Sequence, residues 1–161
     1  MPEYSLEFAK RLRAAATHVI GDGLDDPDAG RTVLYLSLLS TEITIKAILE
    51  KCGVATLNIR DFSHRLDRLL AELDKCKHTP ISLPGTRALC SRVRSYEIYH
   101  DGAKITVGAL IDSLHDVGAS TYPSGVRYGQ SVIHYHPEVV AEVAARVIEF
   151  AEENWETFGL Q

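Results

Sequence analysis

The stretch RVRSYEIYH, residues 92–100, places Arg94 six positions before His100. An imidazole has an ordinary pKa near 6.5, which suits proton transfer close to neutral pH. A guanidinium stays charged and binds two phosphate oxygens at once. Together they could cleave an RNA phosphodiester without a metal, with the neighbouring 2′-hydroxyl as nucleophile. We therefore take Arg94 and His100 as the candidate catalytic residues.

Other aromatic and cationic residues could bind the substrate. Tyrosine rings stack on bases, and arginines bind phosphates. The candidates of this kind are Arg87, Tyr96, Tyr99, Arg127 and Tyr128. Arg127 also has a structural interpretation, in which it anchors a loop to an acidic partner in the bundle.

A purely structural interpretation of the catalytic pair is also available. In it, Arg94 pairs with Glu97, and His100 lies at a helix C-terminus, where a cation is favoured. On an unbroken helix, positions six apart are about 120° apart around the axis. The two side chains then converge only if the helix ends before His100, if Arg94 reaches around, or if a second subunit completes the site.

A second cluster of histidines suggests a metal site as a rival hypothesis. His134 and His136 stand two residues apart and point the same way if the backbone is extended. Two acid-containing pairs could complete a zinc or nickel site: His115 with Asp116, or His100 with Asp101. The simpler interpretation is a polar loop that leads into the final helix. We predict no metal and no cofactor.

Composition limits the classes of function. The chain of 161 residues fits one domain, 1–161, and carries 17 basic and 22 acidic residues, a net charge of −5. That balance argues against a broad nucleic-acid-coating surface but allows a small basic cleft. The three cysteines form no CxxC pair and lie among apolar neighbours, so we interpret them as core or boundary residues in a reducing cytoplasm. We find no secretion signal and no membrane span, so we predict a cytoplasmic protein.

The spacing of apolar residues predicts an all-α fold. We expect an up-and-down antiparallel bundle of five to six helices, with one long loop, 119–136, before the last helix. The expected helices cover 5–20, 31–53, 63–76, 85–100, 106–118 and 137–159. Gly53 ends the second helix and Ser63 caps the third, while Pro137 opens the last.

The second helix is apolar nearly all round, which places it at the centre of the bundle. Its exceptions are Glu42 and Lys46, four residues apart with the acid first, the favoured order for an ion pair on one helix face. We expect His64 to order the loop before the third helix, against Glu42.

Several of these segments resemble the HEPN domain family. The resemblance is carried by LSLLSTEITIKAILEKCG, by FSHRLDRLL, by the Arg-x4-6-His spacing of Arg94 and His100, and by RYG at Arg127 and Tyr128. It runs from about Thr32 to Tyr128 and resumes in the last helix.

Members of that family are small all-α bundles that often form homodimers. The resemblance implies a metal-independent endoribonuclease of a toxin–antitoxin or antiviral defence system, with RNA as substrate. It equally implies the alternative of a non-catalytic dimerisation or binding module, which holds a protein partner or a nucleotide. An antitoxin or a nucleotidyltransferase is the partner expected from the family.

Overall fold

The computed structural model describes residues 1–80, 82–115, 122–127 and 135–159. The fold is mainly helical, as predicted. The helices are α1 Leu6–Asp22, α2 Pro27–Lys51, α3 Thr56–Asp61, α4 Leu66–Leu73, α5 Val107–Ser113, α6 Ser124–Arg127 and α7 Pro137–Asn154. The strands are β1 Lys77–His78, β2 Ala88–Leu89, β3 Glu97–His100 and β4 Ala103–Thr106, and 3₁₀ turns cover Cys90–Ser95 and Trp155–Thr157.

Helix α2 begins earlier than predicted because of a cap that the sequence analysis assigned to a loop. Asp26 accepts a hydrogen bond from the backbone N–H of Asp28 at 2.9 Å, and Pro27 occupies the first helical position. An aspartate cap followed by proline is a standard helix start. The helix therefore gains a turn before Arg31, where we expected it to begin.

Helix α2 lies at the centre of the fold, as its composition predicts, and packs against both α1 and α7. Two of its buried hydroxyls make hydrogen bonds of 2.8 Å: Thr44 donates to the Ser40 carbonyl, and the Ser40 hydroxyl donates to the Ala9 carbonyl of α1. In length and composition α2 could also cross a membrane. However, 67% of its most apolar window is buried against the rest of the protein, as in the core helix of a globular fold.

The prediction of a helix over 85–100 is wrong. This segment forms β2, a 3₁₀ turn and then β3, which pairs with β4 in an antiparallel hairpin where His100 lies opposite Ala103. Asp101 and Gly102 form the two-residue turn, with φ of 49° and 77°. Positive φ at both positions defines a type I′ turn, whose twist matches that of the paired strands. Asp-Gly is among the preferred sequences of this turn.

The start of α4 and the long loop also differ from expectation. Ser63 does not cap α4: the helix begins at Leu66, and Ser63 itself has a φ of 51°. The buried leucine stripe of α4 is confirmed. In the predicted loop 119–136, the short helix α6 forms, while 119–121 and 128–134 lie outside the described residues.

The cysteines are unbridged. Cys76 and Cys90 are buried and Cys52 is half-buried, in agreement with their assignment to the core or its boundary.

One buried histidine makes the stability of the fold dependent on pH. His78 is fully buried, with its ring 5.2 Å from that of Phe150 and 6.1 Å from that of Phe158. Among the described residues neither of its ring nitrogens makes a hydrogen bond of normal geometry, and burial lowers its pKa, an effect that the neighbouring Asn154 side chain opposes in part.

Because the unfolded chain binds a proton to His78 more readily, its contribution to stability is fully present above pH 6.5. That contribution is lost as the pH falls from there towards the lower folded pKa, by at most about 1.4 kcal/mol per pH unit. In urea unfolding between pH 8 and pH 5, His78→Leu should lose stability less steeply with falling pH than the wild type. Parallel profiles for the two proteins would contradict this assignment.

Candidate functional site

Arg94 is held by two aspartates. Its Nε donates to Asp74 at 2.5 Å and its Nη1 to Asp112 at 3.2 Å, and only 29% of the side chain is exposed. Burial disfavours the charged form, but the two carboxylates outweigh it and raise the pKa of Arg94. The alternative pairing with Glu97 is wrong, since Glu97 binds Lys104 at 2.8 Å. The charge of Arg94 is thus largely neutralised within the fold.

His100 lies at the end of β3, where it contacts a different set of residues. Its Nε2 is 3.3 Å from the carboxylate of Asp101, and its ring centroid lies 4.9 Å from that of His136. Within the described part of the chain, no hydrogen bond, ion pair or ring contact joins Arg94 to His100. Since the segment is a hairpin, the alternative role of His100 as a cation at a helix C-terminus is also wrong.

The proposed substrate-binding residues are spread over several surfaces. Tyr96 is half-buried against Phe150, and Tyr99 is 68% exposed and donates its hydroxyl hydrogen to Glu97. Arg87 is exposed. Arg127 donates to the hydroxyl of Tyr35, whereas Tyr128 lies outside the described residues.

The main polar cluster of the interior surrounds Glu42. Only 2% of this residue is exposed, and its carboxylate accepts hydrogen bonds from Lys46 Nζ at 2.8 Å, from His64 Nδ1 at 3.0 Å and from the Tyr122 hydroxyl at 2.7 Å. The predicted contacts of Glu42 with Lys46 and His64 are confirmed. Tyr122 was missed, because nothing local in the sequence places it beside a residue eighty positions earlier.

The Glu42 cluster selects one tautomer of the His64 ring. A carboxylate only accepts hydrogen bonds, so Nδ1 of His64 carries the proton and Nε2 of the neutral ring is left as the basic nitrogen. The side chain of His64 is 46% exposed, so the ring reaches solvent although its carboxylate partner does not. This is the geometry of a carboxylate-oriented general base.

Two aromatic rings connect His64 to Arg127. The rings of His64 and Tyr122 meet edge-on at 6.1 Å, and Tyr122 lies 6.3 Å from Tyr35. Nη2 of Arg127 donates to the Tyr35 hydroxyl at 2.9 Å, and its guanidinium lies 5.5 Å from the centre of that ring. Burial, with the charge of Glu42 next, raises the pKa of Tyr122, so it remains a proton donor to Glu42 at neutral pH. Arg127 therefore helps to anchor its segment through Tyr35.

The histidines of the rival metal hypothesis are partly brought together. His100, Asp101 and His136 each offer a ligand atom, and these atoms lie within 4.8 Å of one another. His115 instead lies 3.8 Å from Asp67, and burial lowers its pKa. His134 and Asp116 lie outside the described residues.

The buried ion pair of the Glu42 cluster gives a test by mutation. Glu42→Gln keeps the shape but leaves Lys46, only 6% exposed, without its counter-charge. Removing one partner of a buried pair costs about 3–5 kcal/mol. Urea unfolding should show a loss of that size, and Glu42→Gln combined with Lys46→Met should recover part of it. If the double variant is less stable than Glu42→Gln alone, the pair does not act as described.

Comparison with protein-family models, with curated proteins and with solved structures found no match to this chain.

Proposed function

We propose that this is a HEPN-like protein that cleaves RNA without a metal, as part of a toxin–antitoxin or antiviral defence system. The observation that supports it is the pairing of the exposed His64 with the buried Glu42, at 3.0 Å from Nδ1. The proposal includes the up-and-down antiparallel order of the long helices, a cytoplasmic homodimer, and an antitoxin or nucleotidyltransferase partner.

In the proposed reaction, Nε2 of His64 takes the proton of an RNA 2′-hydroxyl. The 2′-oxygen then attacks phosphorus, and the bond to the 5′-oxygen breaks. The products are a 2′,3′-cyclic phosphate and a 5′-hydroxyl, the leaving oxygen taking its proton from water. Glu42 stabilises the imidazolium that forms, since its carboxylate accepts the hydrogen bond from Nδ1–H throughout.

Phosphate binding in this proposal is assigned to Arg127. A chain of ring contacts through Tyr122 and Tyr35 connects its guanidinium to His64, and this supports the assignment. The Tyr35 hydroxyl and ring hold the guanidinium in place, and a fixed cation stabilises the charge that develops on phosphorus. Arg94 and His100 remain the pair predicted from the sequence, and the experiment below separates the two assignments.

A second candidate function is the non-catalytic binding module. The ion pairs of Arg94 favour it, because a guanidinium that is shared by Asp74 and Asp112 has less charge to offer a phosphate. The net charge of −5 points the same way, towards a protein partner rather than an extended nucleic acid.

The nuclease proposal predicts cleavage of RNA by the purified chain in excess EDTA. His64→Gln retains an amide that can donate to Glu42 but has no basic nitrogen, so the rate should fall by about 10²–10⁴-fold. The measurement is the initial rate on labelled RNA, together with chemical identification of the cyclic phosphate. His100→Gln and Arg94→Gln serve as matched variants and should retain the wild-type rate.

If instead only His100→Gln and Arg94→Gln lose activity, the chemistry belongs to Arg94 and His100, the pair predicted from the sequence. That result would reject the role of His64. A wild-type protein that forms a stable dimer by light scattering yet leaves RNA intact would reject the nuclease and support the binding module. Far-UV circular dichroism of each variant checks that the fold is retained.

A further inference from the structure

A cleft of about 460 Å³ lies between the β3–β4 hairpin and the start of α7. His100, Asp101 and His136 line it, with Ile98, Ile105 and Val139 among the apolar residues of its walls. Neither histidine belongs to the Glu42 cluster. The cleft therefore holds chemistry that the proposed nuclease does not use.

The backbone brings the three polar side chains together from two elements. His100 is the last residue of β3, and Asp101 follows it directly in the two-residue turn. His136 stands immediately before Pro137 in the extended cap position of α7, with φ −60° and ψ 142°. Both anchor points are fixed by regular structure, the hairpin on one side and the helix start on the other.

The two imidazoles approach each other without a bond between them. Their centroids are 4.9 Å apart at an interplanar angle of 44°, and the nearest acid is Asp101, 3.3 Å from Nε2 of His100. Two neutral imidazoles and one carboxylate are the ligands that zinc and similar divalent transition metals take in open sites. One cation between the three would accept an electron pair from one ligand atom of each.

The dimensions of the cluster suit such an ion after a small adjustment. In a tetrahedral site with metal–ligand bonds near 2.0–2.1 Å, neighbouring ligand atoms are about 3.3 Å apart. The three atoms here lie within 4.8 Å of one another. The side chain of Asp101 is 83% exposed and that of His136 is exposed, so rotation about their side-chain bonds can close the difference.

We propose that His100, Asp101 and His136 bind one divalent transition-metal ion of the zinc class. Three protein ligands leave a fourth position for water or a small ligand, and the adjoining cleft has room for either. This inference is independent of the proposed nuclease, whose activity is measured in EDTA.

The test uses the full chain without a polyhistidine tag. Binding of Zn²⁺ is measured by calorimetry, and binding of Co²⁺ by the visible absorption that appears when its coordination becomes tetrahedral. We expect one ion per chain. Three variants each remove one ligand: His100→Gln, Asp101→Asn and His136→Asn. Each should weaken Zn²⁺ binding at least about tenfold, since the loss of a supporting residue outside the ligand set already has an effect of that size.

These replacements are chosen to keep the fold. Asparagine tolerates the positive φ of residue 101 and is a favoured helix cap at residue 136. The matched control is His18→Gln, which removes the exposed histidine that lies 3.6 Å from Asp22 on α1.

Unchanged affinity in His18→Gln, together with loss in the three variants, supports the site. Zn²⁺ binding that is absent in the wild type, or that survives all three replacements, overturns the proposal. An equal loss in His18→Gln also overturns it, because ordinary surface histidine–acid pairs would then explain the binding.

Discussion

A carboxylate that is removed from water must be neutralised where it lies, and in this protein that carboxylate belongs to Glu42. Its donors come from three separate parts of the chain: Lys46 from one turn further along α2, His64 from the turn before α4, and Tyr122 from the segment beside α6. Each donor lost would leave the buried charge less compensated. The Glu42 cluster therefore fixes how these segments meet.

That constraint extends beyond the three donors. The ammonium of Lys46 also lies 5.4 Å from the centre of the Tyr4 ring, so the residues before α1 are tied to the same charge. On the other side, Tyr122 packs against Tyr35, which in turn holds Arg127. The cation and the histidine of the proposed nuclease thus share one framework, and a substitution at Glu42 disturbs both.

The parts of the fold that could be predicted are those in which local pattern and tertiary burial agree. Helices α1, α2 and α7 have long apolar periodicity, and the acid-first spacing of Glu42 and Lys46 is a local signal for a pair. The segment 85–100 was misassigned because Leu89, Val93 and Tyr96 fit a helical repeat. The decisive signal is Asp101-Gly102, which directly follows the predicted helix and is a strong hairpin turn.

The candidate sites were predictable only to the extent that their contacts are local. Arg94 pairs with Asp74, twenty residues before it, and with Asp112, eighteen residues after it. No spacing rule selects these two partners. The same holds for the approach of His136 to His100. Sequence supplied the residue types at both sites, but long-range packing decided which of them meet.

His100 separates two hypotheses that cannot both hold at the same moment. A ring nitrogen bound to a metal ion has no electron pair left to accept a proton, so a metal-bound His100 could not act through that nitrogen as a general base. His64 is free of this conflict, because its carboxylate partner binds Nδ1 and leaves the electron pair of Nε2 free.

Among the described residues, Ser63 and Asp101 are the non-glycine residues with positive φ, and each adjoins one of these histidines. At Asp101 the hairpin turn accounts for this conformation, and Ser63 lies in the turn that leads into α4. The fold therefore fixes two histidines at two constrained turns, one beside a buried acid and the other beside a second imidazole, and those neighbours favour proton transfer at the first and metal ligation at the second.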